Sequence, residues 1–182
     1  VFVNFARVLA AGLLFVAISI QSAADPLKDI KTLLTGGQYE KALPRLDAFL
    51  TKNPKNAEAR FLKGLALAEQ GRNEEAQEVF LALSGDFPDL PEPHNNLAVL
   101  YAAKGDYAKA RDSLLLAINS HPSYATAHEN LGDIYARMAG IAYGKALEVD
   151  ADNRSARIKL AMVRELFSER GPAASSLPKT NE

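Results

Sequence analysis

The chain has no cysteine. That excludes disulfide staples, thiol catalysis, and zinc or iron–sulfur sites built on thiolates. It also excludes a lipid anchor on the first mature residue, which needs a Cys there. It does not identify a compartment, since exported and cytosolic proteins alike do without the residue. Surplus charge is lacking too: 21 Lys plus Arg face 22 Asp plus Glu, where a nucleic-acid binder carries a clear basic excess. No His lies three or four residues from another. His94 and His128 are one repeat apart, about 10 Å if helices stack between them, and His121 precedes Pro122 in a loop, so no metal site is expected. There is no nucleophile elbow, phosphate loop or dinucleotide fingerprint. Carboxylate pairs such as Glu74-Glu75 stand where helices begin and complement the helix dipole. The chain is therefore expected to be no enzyme and to need no cofactor. Nor is a lysine-rich amphipathic stretch present that would lie on a membrane.

What is present is globular composition, 48% hydrophobic and 24% charged, behind a first segment of different character. Arg7 is the only charge before Asp25, followed by the apolar run Val8–Ile20 and the small residues Ser22 and Ala24. Thirteen apolar residues are too few to cross about 30 Å of hydrocarbon comfortably. Residues 1–24 are expected to be a secretory signal peptide cut after Ala24, giving an exported, periplasmic protein with no membrane insertion thereafter. The alternative is an uncut leader that anchors the chain in the inner membrane, since Val3, Phe5 and Ala6 lengthen the apolar stretch.

The remainder repeats. Pro54, Pro88 and Pro122 are spaced by 34 residues, and so are Ala42, Ala76 and Ala110. Blocks Ala57–Leu90 and Pro91–Tyr124 align without gaps, each reading as two amphipathic helices and a turn. In the second block Leu97, Leu100 and Tyr101 share one helical face. Gly105-Asp106 makes the turn, Ala110, Leu114 and Ala117 form the next stripe, and Pro122 ends it. Gly64, Ala98 and Gly132 are expected to let the paired helix approach closely, as are the three alanines.

This pattern resembles the tetratricopeptide repeat, and specifically an exported bacterial member of that family. His94, Leu97, Ala98, Tyr101, Ala110, Leu114, Ala117 and Pro122 fill the signature places. Gly64, Leu67, Ala76, Phe80, Leu83 and Pro88 fill them one repeat earlier, although Lys63 stands where Leu is expected. A looser unit runs over 25–56, with Ala42, Leu46, Phe49 and Pro54 in register. The implied fold is all-α: a solenoid of antiparallel helix pairs occupying 25–170, with units of about 25–56, 57–90, 91–124 and 125–153.

The fourth unit departs from the pattern. His128, Leu131, Gly132 and Tyr135 begin it well, but the segment that should carry the turn is missing. Leu131, Tyr135, Met138, Ala142, Ala146 and Val149 continue as one stripe instead. A single fused helix is predicted from about Thr126 to Val149, roughly 36 Å long. Gly140 and Gly144 weaken it by about 1 kcal/mol each, which leaves a kink as the fallback. A helix over 155–169 follows, apolar on more than one face: either a cap folded back on the fused helix, or a self-association surface. The tail, 171–182, has too little apolar content to pack and is expected to be disordered.

The resemblance places first helices along a concave wall. Phe61, Leu65 and Ala68 would come from one unit, Asn95, Val99 and Ala102 from the next, then Glu129, Asp133 and Ala136, with Asn96 and Asn130 alongside. An Asn amide there resembles the group by which some members grip a peptide backbone. The Lys/Arg pattern by which others clamp a terminal carboxylate is missing. The groove reads as apolar at one end and acidic at the other, with Glu58, Glu92, Glu129 and Asp133. That favours a partner segment with apolar anchors and basic residues, unless the acids are simply a solvated face. Two functions follow: a protein-interaction scaffold of the bacterial cell envelope holding a protein or peptide in the groove, or a self-associating structural protein built through its last two helices.

Overall fold

The computed structural model describes residues 26–168, so the leader and the tail lie outside the described residues. Eight α-helices follow one another with no strand among the described residues: α1 Pro26–Thr35, α2 Tyr39–Lys52, α3 Ala57–Glu69, α4 Asn73–Asp86, α5 Pro91–Ala103, α6 Tyr107–Ser120, α7 Ala125–Val149 and α8 Arg154–Leu166. Each packs mainly on its neighbours in sequence, and α1 also meets α3, as α5 meets α7. This is a solenoid of antiparallel helices, its first helices on one wall and its second helices on the other.

The turns explain the helix lengths. Gly37, Gly71 and Gly105 have φ of +67°, +72° and +77°, a region nearly closed to side chains. Each lets the chain reverse within two residues. The amide two positions into the turn then donates back to the helix, Gln38 to Leu33, Arg72 to Leu67 and Asp106 to Tyr101, at 2.8–3.0 Å. Side-chain oxygens of Asn56, Asp106 and Asn153 cap α3, α6 and α8 by accepting from the backbone amide three residues on.

In the fourth unit the equivalent position is Ala139, and no residue of α7 has positive φ. Without a residue that turns cheaply the helix runs on, so α7 is the single 25-residue fused helix read from its apolar stripe. The last helix ends at Leu166, within the span expected for it.

Small residues set the helix spacing. Ala42, Ala76 and Ala110 are fully buried, as are Leu46, Phe80, Leu83 and Leu114. Gly64 lies under the Phe80 ring. Gly132 does not behave this way: it is exposed, and an added Cβ would meet nothing within 4 Å. The expectation of close approach there fails because the fused helix leaves no second helix folded back over it. Lys63, the departure from the signature, is half-buried and reaches Asp47 of α2 at 2.6 Å. Its aliphatic stem covers the place of a Leu while its charge leaves for the surface.

Candidate functional site

A groove of about 870 Å³ opens along the first helices of the first three units. Its floor is Phe61, Leu62 and Leu65 of α3, with Leu34 and Tyr39 on one side and Pro93 and Tyr124 on the other. Phe61 is held by a tilted contact with Phe80, ring centroids 5.7 Å apart, so its orientation is fixed by the core.

The rim is polar and mostly acidic. Glu58, Glu69 and Glu92 border the groove against a single cation, Lys31. Lys31 pairs with Glu58. Glu69 accepts from the Tyr39 hydroxyl, and partial burial, followed by that carboxylate's charge, pushes the Tyr39 phenol above its ordinary range. Tyr124 is pushed up first by burial and then by Glu92, against a weaker pull from Thr126. Its hydroxyl is buried at the edge of the apolar surface, beside the Thr126 side chain.

Phe61 and Leu65 line this groove. Val99 lies further along α5 and is 44% exposed. Glu129 is exposed and Asp133 half-buried on α7, both beyond the groove lining. The acids are therefore not gathered at the far end: Glu58 and Glu92 flank the apolar floor itself.

The asparagines are placed differently from one another. Asn95 is only 4% exposed, and its Oδ1 accepts from Asn130 Nδ2 at 2.8 Å. The pair ties α5 to α7 inside the wall and gives a partner little of Asn95 to touch. Asn96 donates to its own helix, at the Glu92 carbonyl, 2.9 Å away.

The α1 side chains and Tyr124 were missed in the sequence. The first unit's opening helix lacks the signature residues, so its register could not be set. Tyr124 had a usable signal: Leu90, one repeat earlier, lines the same groove.

No group of His, Asp or Glu among the described residues is arranged to hold a metal. None of the described helices is long and apolar enough to cross a membrane.

The model of the tetratricopeptide repeat matches residues 27–91, 69–124 and 95–140, together more than half of the chain. The chain belongs to the tetratricopeptide-repeat (TPR) family. Among solved structures it is similar to YrrB, a TPR protein with an unusual peptide-binding site, at 32% identity and a TM-score of 0.52. That match covers 55% of this chain and 52% of YrrB, so the chain spans about half of that relative. A thermophilic TPR protein of Thermus thermophilus matches at 24% identity and TM-score 0.58, over 79% of this chain and 81% of that one. MamA of Desulfovibrio magneticus RS-1 matches at 21% identity and TM-score 0.56, over 80% and 77%. These two likenesses show the fold. Curated protein sequences gave no match.

Proposed function

We propose that this TPR protein is a scaffold that holds a segment of another protein in the groove along α1, α3 and α5, and that it works in the bacterial cell envelope. The observation that carries the reading is the groove itself: an apolar floor of Phe61, Leu62 and Leu65, rimmed by three carboxylates against one lysine. Apolar side chains of the partner fill the floor, and basic residues beside them meet Glu69 and Glu92. YrrB's peptide-binding site supports a peptide as the ligand class. The envelope location is supported by the charged start, short apolar core and small residues of 1–24.

The test is site-specific photo-crosslinking in living cells, with the probe at Val99 beside the groove and at Leu81 of α4 as a control of equal exposure on the opposite wall. A distinct partner protein crosslinked from Val99 and absent from Leu81 supports the scaffold reading, and the compartment of that partner tests export. Equal patterns from both positions, or none from Val99, would overturn it.

A further inference from the structure

The side chains that α3 turns to the groove form one helical stripe. Glu58, Phe61, Leu62, Leu65, Ala66 and Glu69 fall at i, i+3, i+4, i+7, i+8 and i+11, and all of them line the groove. The stripe is apolar in its middle and acidic at both ends. Such a stripe, running the length of its helix, offers the ridges and hollows against which a second helix packs lengthwise. Helix α3 has 13 residues, about 18 Å at 1.5 Å per residue, so a helix laid along it contacts it over about three turns.

An extended occupant would meet the wrong chemistry. Its backbone presents an N–H and a C=O at every residue, and each needs a partner wherever water is displaced. The hydroxyls that line the groove are committed. Thr35 donates to the Thr32 carbonyl at 3.1 Å, Tyr39 donates to Glu69, and the Tyr124 hydroxyl is buried beside Thr126. Along α5 the Asn95 amide is tied to Asn130, and Asn96 donates to its own helix. The start of α5 adds little, since Pro91 and Pro93 have no N–H to offer. A helix bonds its own backbone and asks of the groove only an apolar surface.

Charge selects what flanks the apolar face. Glu58 is paired with Lys31. Glu92, half-buried where α5 begins, forms no ion pair among the described residues. A cation on the occupant is the complement to it.

We propose that the groove receives an amphipathic α-helix of about three turns, laid along α3. Its apolar residues at i, i+3, i+4 and i+7 sit on Phe61, Leu62 and Leu65, and a Lys or Arg lies beside Glu92. The inference rests on the groove being the binding site and specifies the conformation and charge of the segment held there.

Two synthetic peptides of about fourteen residues test it. Both contain the same Leu, Ala and Lys residues. One places Leu at i, i+3, i+4, i+7 and i+11, and the other alternates Leu with polar residues. Each is labelled with carbon-13 and nitrogen-15 and followed by NMR as the full chain is added. The first is expected to bind at least about tenfold more tightly, with its Cα shifts moving to helical values. Glu92→Lys should weaken that binding at least about threefold at low salt, with unchanged circular dichroism of the chain. Leu81→Lys on the opposite wall should leave it unchanged. Tighter binding of the alternating peptide, or an extended bound form of the first, would overturn the helical occupant and leave the groove standing as a peptide site. Binding indifferent to Glu92→Lys, or weakened equally by Leu81→Lys, would overturn the proposed seating. Failure of both peptides to bind at about 1 mM would overturn the groove reading together with this one.

Discussion

Gly64 on α3 lies flat against the ring of Phe80 on α4: a Cβ added at Gly64 would come within 2.5 Å of Phe80 Cε1 and 2.7 Å of Cζ. The ring has no room to yield, being fully buried and in contact with Phe61. The glycine is therefore the steric condition for the α3–α4 pair, and through Phe61 for the floor of the groove.

Gly64 and Gly132 occupy the same place in the repeat two units apart, yet alanine should act on them with opposite sign. Either substitution gains about 1 kcal/mol of helix propensity. At Gly64 the overpacking cost of about 1–3 kcal/mol exceeds this, so Gly64→Ala is expected to lose stability. At Gly132 nothing opposes the gain, and Gly132→Ala should be up to about 1 kcal/mol more stable. Urea denaturation in dilute solution reads both. Midpoints moving in the same direction would refute the steric account.

The contrast shows what the sequence could and could not disclose. The 34-residue spacing fixes helix pairs because turn glycines and small residues recur with it. The fused α7 was legible because its stripe continues where the turn should be and the segment that carries Gly105-Asp106 one repeat earlier is missing. Gly132 was misread because its neighbours match the signature while the helix that would cover it is absent. Helical register says which way a side chain points, not whether another helix arrives. The same limit applies to Asn95, which points along the wall but is sealed by Asn130 from the next unit. The contributions of Leu34 and Tyr39 to the groove depend on α1 and α2 lying beside α3, contacts between elements that no local pattern encodes.

The Asn130–Asn95 bond should be worth measuring as a coupling between units. Removing the donor with Asn130→Ala leaves the Asn95 oxygen buried and unmet, at an expected cost of about 1–2 kcal/mol. A double-mutant cycle with Asn95→Ala should return a coupling of at least about 0.5 kcal/mol. Strict additivity would mean that the bond contributes nothing to holding α7 on α5.

His94 gives the fold a pH dependence. Burial lowers its pKa, and the hydrogen bond with the Pro88 backbone only partly opposes this. Below its ordinary value the unfolded chain therefore binds a proton that the folded chain resists. The stability is intact above the unfolded pKa and is lost as pH falls through the folded one. Between about pH 7 and pH 5 the wild type should lose more stability than His94→Phe, which keeps the bulk and removes the titration. Parallel stability curves for the two would show that another group is responsible.

Pro44 stands inside α2, past the first turn, where it cannot donate to the Glu40 carbonyl and constrains Leu43 before it. The helix continues regardless because Ala42, Leu43 and Leu46 are buried around the irregularity, and tertiary packing outweighs local preference. Pro44 itself is exposed, so its replacement removes no core contact. Pro44→Ala restores the missing donor at the cost of a more flexible unfolded chain, which offsets only about 0.4–1 kcal/mol of a penalty near 3 kcal/mol. A net gain of about 2 kcal/mol is expected from the urea midpoint. The new amide at position 44 should also resist hydrogen exchange as its helical neighbours do. Loss of stability instead would mean that the proline-imposed geometry of α2 is what seats Leu43 and Leu46 against α1 and α3.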